Sequence, residues 1–182
     1  MPEQPRDQPT DQPIVPDTKD WTWVLERPCP ECGFDARAVR QVEVKNRIYA
    51  NASAWQRVLE QPGAQTRPAP AVWSPLEYAC HVRDVHLIFD ERVRLMLEAD
   101  DPLFANWDQD EAAVHGGYGE QDPAVVADEL AVAAAAASQT YATVDGAQWE
   151  RSGRRSNGSV FTVDTIARYH LHDVEHHLHD VS

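Results

Sequence analysis

Trp73-Ser74-Pro75-Leu76-Glu77-Tyr78-Ala79-Cys80-His81 carries the clearest helix start in the chain. Ser74 offers a side-chain oxygen to the unpaired amides of a first turn, and Pro75 fills the first helical position, where a missing N–H costs nothing. Glu77 at the third position reaches back to close a capping box. The helix is expected to run to about Glu98. At about 100° per residue, Val85, Ile88, Phe89, Leu95 and Met96 fall within an arc roughly 120° wide, and His81 lies inside it. His86 lies about 140° from His81 and is expected at the surface.

The last segment, Tyr169-His170-Leu171-His172-Asp173-Val174-Glu175-His176-His177-Leu178-His179-Asp180-Val181, is the second informative stretch. Thr162 is its expected cap. Val163, Ile166, Ala167, Val174, Leu178 and Val181 define the apolar side of this helix, with His170 and His177 on that side and Asp173 at its border. His172 and His176 also have i,i+4 spacing, but the wheel puts them with His179 on the polar side, as a solvated face. Periodicity therefore favours Asp173 and His177 as the pair that shares the interior with His81; a register shifted by one residue selects His172 and His176 instead. Imidazole nitrogen and carboxylate oxygen suit zinc, nickel, iron or manganese. Three such donors leave coordination positions open, which implies catalysis or ligand binding rather than bracing. A metal-free His–Asp cluster is the competing reading. His170 lies about 10 Å along the axis from His177, too far to share one ion, and is a candidate second-shell acid–base group.

Two further helices complete the pattern. One is expected from Asp35, as N-cap, to about Gln61, with Ile48, Ala52, Trp55 and Leu59 on one face. The other opens at Asp122-Pro123 and ends at Asp145-Gly146, and its alanine run 133–137 permits close helix approach. Residues 62–72 form a Pro-rich connection, 100–121 an acidic loop with Trp107, and 146–161 an irregular segment with an Asn157-Gly158 turn. The expected fold is an all-α four-helix bundle over residues 35–182, preceded by an irregular Pro-rich leader and a Cys-Pro-Glu-Cys-Gly turn over 1–34. Trp21 and Trp23 give that leader something to dock with.

The bulk numbers bound the function. A chain of 182 residues supports one sizeable core. A net charge of −14 excludes a general nucleic-acid binder and an anionic membrane surface as partner. No apolar run approaches the roughly 18–20 residues of a spanning helix, and Met1 to Asp20 lacks a signal-peptide core, so a cytoplasmic location is expected. A homodimer is compatible with the pattern.

Trp73-Ser74-x-x-Glu77-x-x-x-His81 resembles the second-helix motif of the DinB/YfiT-like superfamily, and His177-Leu178-His179-Asp180-Val181 is similar to its terminal His-Leu-x-Gln-Ile. The resemblance covers most of residues 35–182. It implies a four-helix bundle holding a divalent metal, with one ligand from the second helix and two from His-x-x-x-His on the last. His81 and His177 match; Asp173 replaces the first histidine of the pair, as a carboxylate does in mycothiol-dependent maleylpyruvate isomerase relatives. Asp180 stands where Gln is usual. The implied chemistry is metal activation of a small thiol of mycothiol or bacillithiol type, transferred to an electrophilic small-molecule substrate. The alternatives are a hydrolase that activates water, and a non-catalytic metal- or ligand-binding stress protein.

Cys29 and Cys32 have half the spacing of a zinc knuckle. They read as a structural turn with free thiols, as a zinc site completed by other residues or a dimer mate, or as a redox pair. Cys80 reads as a packing residue. Arg151, Arg154 and Arg155 are candidates to hold the carboxylates of a substrate or thiol cofactor by bidentate hydrogen bonds; a solvated basic loop is the competing reading. No nucleophilic triad or phosphate-binding glycine loop is present.

Overall fold

The capping box at Ser74 forms as the sequence spells it. Glu77 N–H donates to Ser74 Oγ at 3.2 Å, and Ser74 N–H donates to the Glu77 carboxylate at 2.8 Å. The computed structural model describes Ile14 and residues 19–182; the rest of the expected Pro-rich leader, residues 1–13 and 15–18, lies outside the described residues. The long helices are α1 (Val44–Leu59), α2 (Pro75–Glu98), α4 (Pro123–Thr143) and α5 (Val163–Asp180), with a short α3 (Gln109–His115) in the acidic loop. Strands β1 (Ser152–Arg154) and β2 (Val160–Thr162) pair antiparallel before α5.

The four long helices form an all-α bundle. Both α1 and α2 pack chiefly against α4 and α5, so the two helices that follow each other in sequence lie across the bundle rather than side by side. Small residues explain the tightness around α4: Ala133, Ala134 and Ala137 are buried, and Ser138 Oγ donates to the Lys45 carbonyl at 3.0 Å. Ile48 and Trp55 of α1 are fully buried against this face, as their spacing predicts.

The secondary structure differs from the sequence reading in three places. The first helix starts at Val44, not after Asp35. Asp35 caps only a single 3-10 turn, because Val39 and Arg40 adopt extended backbone and break the run. Buried Val39 anchors that break to the core. The acidic loop contains α3, whose N-cap Asp108 accepts from the amides of Asp110 and Glu111 at 2.9 and 3.0 Å. The segment expected to be irregular is a hairpin turning through Asn157 and Gly158, where a φ of +91° suits a residue without Cβ.

Residues 19–43 run along α5, from His176 near its C-terminal end to Asp164 in its first turn. Trp21 packs at a tilt against His172 and His176, Phe34 meets His172 edge-on, and Arg168 of α5 donates to the Ala36 carbonyl at 2.9 Å. Across the bundle, Arg47 makes a two-pronged pair with Glu175 at 2.8 and 2.6 Å, which fixes α1 against α5.

Candidate metal centre

His81, on the second turn of α2, is buried at the meeting of α2 and α5. Its Nε2 stands 3.4 Å from Asp173 Oδ1, and His177 Nε2 stands 3.6 Å from the same oxygen. Asp173 and His177 follow one another at i,i+4 on α5 and both line a cleft of about 600 Å³. His81 is packed between Trp107 and Trp73, at ring-centre distances of 5.6 and 5.5 Å. The acidic loop thus supplies, through Trp107, a cover for the histidine that α2 supplies.

The three donors fit a divalent cation. Both ring nitrogens of His81 and Asp173 Oδ1 are buried without a hydrogen-bond partner among the described residues, an arrangement that costs energy unless a ligand completes it. Donor atoms around a cation with bonds of about 2.0–2.2 Å lie roughly 3.0–3.6 Å apart, which the two separations match. Burial holds His81 below the ordinary histidine range despite the neighbouring carboxylate. Burial alone would raise the Asp173 carboxyl, but the His81, His177 and His170 imidazoles outweigh it and hold the group well below the usual carboxylate range. A neutral imidazole beside a carboxylate is the protonation state that a metal requires.

Asp180 acquires a role that its place in the sequence does not suggest. His177 Nδ1–H donates to Asp180 Oδ2 at 3.0 Å, which leaves Nε2 facing Asp173. A carboxylate on the far nitrogen of a ligating histidine fixes both tautomer and ring orientation.

His170 is not in this centre. Its Nε2 lies 2.9 Å from His86 Nδ1, and its Nδ1 lies 3.2 Å from the Tyr141 hydroxyl, deep between α2, α4 and α5. His86 is fully buried rather than at the surface, because α2 is enclosed by α4 and α5 on two sides and its buried arc is wider than one neighbour requires. His172 and His176 are likewise buried, not solvated: Trp21 and Phe34 from the N-terminal segment cover the face of α5 that a bundle alone would leave wet.

Of the three arginines singled out before α5, one reaches the cleft. Arg151 turns away to the carbonyls of Met96 and Ala99, and Arg154 pairs with Asp101 at 2.9 Å; both sew the hairpin to the end of α2. Arg155 lies in the cleft wall over Phe161 and Tyr169. A second cleft arginine, Arg92 of α2, escapes sequence reasoning entirely. It sits between Phe89 and Phe104 with no carboxylate partner among the described residues. Burial, reinforced by the Arg155 charge, lowers it to about 10, so it remains a cation at neutral pH. Nothing local in the sequence distinguishes it from a surface arginine.

A second set of donors lies on the next face of α5, where Cys29 and Cys32 meet His172 and His176.

The DinB superfamily matches residues 47–181, which contain all three donors of the His81 centre. No curated protein matches the chain. Among solved structures, the fold is similar to "YfiT from Bacillus subtilis", described as "a probable metal-dependent hydrolase with an unusual four-helix bundle topology". The TM-score is 0.68 at 16% identity, over 76% of this chain and 82% of that one.

Proposed function

Because the chain belongs to the DinB superfamily, we propose that it is a metal-dependent enzyme that transfers a low-molecular-weight thiol, of mycothiol or bacillithiol type, to a small anionic electrophile. The observation that carries the reading is the number and placing of donors. His81, Asp173 and His177 are three, and two of them face a cleft of about 600 Å³, within the usual range of a small-molecule site. A divalent cation held there supplies Lewis acidity, which lowers the pKa of a thiol or water brought against it.

The side chains divide the remaining work. Asp180 holds His177 in the ligating tautomer. Trp73 and Trp107 keep water from His81. Arg92 and Arg155, two cations in one cleft wall, offer guanidinium donors to a carboxylate or similar anion on the substrate.

Hydrolysis is the second reading, favoured by the likeness to YfiT; it uses the same donors with water as nucleophile. The assay mixes metal-loaded protein with carboxylated electrophiles, with and without mycothiol or bacillithiol. Turnover only with thiol supports transfer, turnover without thiol supports hydrolysis, and tight binding with neither makes the protein a non-catalytic binder.

A further inference from the structure

We propose that Cys29, Cys32, His172 and His176 form a second metal centre, closed and structural, that takes zinc. Two independent parts of the chain build it. The turn after Cys29 is shaped for the purpose: Gly33 N–H donates to the Cys29 carbonyl at 2.9 Å, Cys29 N–H donates to the Phe34 carbonyl at 2.8 Å, and Gly33 has a φ of +76°. This folds the Cys-x-x-Cys back so that both thiols face the same way. The second half is His172-x-x-x-His176, one turn apart on α5.

The four donors converge. One ligand atom from each lies within 4.8 Å of the other three, and Cys29 Sγ is 3.8 Å from His176 Nδ1. Zinc bonds of about 2.3 Å to sulfur and 2.0–2.1 Å to nitrogen place tetrahedral donors roughly 3.3–3.8 Å apart, so small side-chain movements close the set. Cys29, His172 and His176 are buried, and His172 Nε2 has no hydrogen-bond partner among the described residues. On the far side of His176, Nε2 faces Glu31 Oε2 at 3.5 Å and Asp180 Oδ1 at 3.8 Å, the carboxylate support that ligating histidines take. Two thiolates and two imidazoles satisfy zinc completely and leave no position for substrate.

The consequence is mechanical. His172 and His176 each precede a donor of the first centre by one residue, so the closed centre fixes the rotation of α5 that aims Asp173 and His177 at His81. It also pins the N-terminal segment, whose Trp21 lines the cleft. Asp180 touches a histidine of each centre.

Cobalt(II) substitution of tag-free protein tests this, read by absorption and by metal counting. Wild type is expected to bind a second ion per chain and to show sulfur-to-cobalt charge transfer in the near ultraviolet, which the nitrogen and oxygen donors of the His81 centre cannot produce. Cys29→Ser with Cys32→Ser should remove the band and one ion, whereas His177→Ala should remove the other ion and keep the band. Wild-type protein that binds cobalt without the band overturns the proposal, and this reading needs no variant to fold. If instead the band is present with one ion per chain, the closed centre stands and the His81 centre fails.

Discussion

Asp173 Oδ1 stands 3.4 Å from His81 Nε2, and neither atom has a hydrogen-bond partner among the described residues. A neutral imidazole and a carboxylate that approach without bonding, inside a protein, leave two desolvated atoms aimed at the same point. The separation is too long for a direct hydrogen bond of ordinary strength and suits two donors of one ion. His177 completes the triangle from the cleft side, where its side chain keeps 21% of its exposure.

That exposure makes His177 the residue to remove first. His177→Ala is expected to abolish metal-dependent turnover by at least about 100-fold, since losing even the support of a ligand costs 10–100-fold. The thermal midpoint of the metal-free protein should move little, because the side chain lies on the cleft wall. Asp180→Asn should weaken metal binding about 10–100-fold while leaving the stoichiometry intact at saturating metal. Undiminished affinity in a titration of Asp180→Asn would refute the orienting role.

Arg92 is expected to select the substrate rather than drive the reaction. Arg92→Met should raise KM for anionic substrates by about 10–100-fold, the value of one charge-assisted hydrogen bond of roughly 1.5–3 kcal/mol, with a smaller effect on kcat. A neutral ester of the same substrate should be handled equally by both proteins. Equal loss for charged and neutral substrates would reduce Arg92 to a packing residue.

The helices were legible because their ends carry local chemistry: Ser74, Asp122 and Thr162 each cap the helix expected of them. The triangle of His81, Asp173 and His177 was legible because each residue lies on or beside the apolar arc of its own helix. What a helical wheel cannot represent is a second wall. It assumes one core per helix, and α5 has two: the bundle on one side, and Trp21, Phe34 and Cys29 on the other. His172 and His176 therefore read as solvated although they are buried. His86 was misplaced for the same reason, since α2 is flanked by α4 and α5 together. Arg92 and the role of Asp180 depend on distant loops or on ring orientation, and neither leaves a mark on spacing.

Gly153 should tolerate no side chain. A Cβ there would lie 2.5 Å from the Phe104 ring and 2.8 Å from Met96. Gly153→Ala is expected to cost about 1–3 kcal/mol by overpacking, measured by urea denaturation. Because Phe104 also flanks Arg92, KM for the anionic substrate should rise in the same variant.

Glu77 links helix capping to pH. Its carboxylate accepts from the Arg67 Nε at 2.9 Å and from Ser74. Burial pushes its pKa up, but these bonds more than reverse that and hold it below the ordinary value. A depressed carboxylate stabilises the fold above its unfolded pKa, and the contribution is lost as pH falls through the folded one. Glu77→Gln should therefore destabilise at pH 7 by about 2 kcal/mol, less than a fully buried pair because Arg67 is partly solvated. The gap from wild type should narrow below about pH 4, near the reference carboxylate value. A gap that is constant with pH would place the effect in packing.

The buried pair of His86 and His170, midway along α2 and α5, makes the bundle interior acid-sensitive. Burial lowers His86 to about 4 and His170 well below its ordinary value, whereas both titrate near 6.5 in the unfolded chain. Between those values the unfolded state binds more protons, so stability rises with pH there. Metal-free protein should thus be fully stable above about pH 6.5 and weaken progressively as pH falls toward 4. Replacing both rings, with His86→Leu and His170→Phe, removes the hydrogen bond and the titration together. The exchange also strands the buried Tyr141 hydroxyl that His170 holds, so it is expected to cost about 1–3 kcal/mol at pH 7.5. The slope of stability against pH should become shallower without vanishing, because burial also lowers His172 to about 4. An unchanged slope in the double variant would mean that the acid sensitivity arises in the α5 histidines beside the metal centres, and not in this pair.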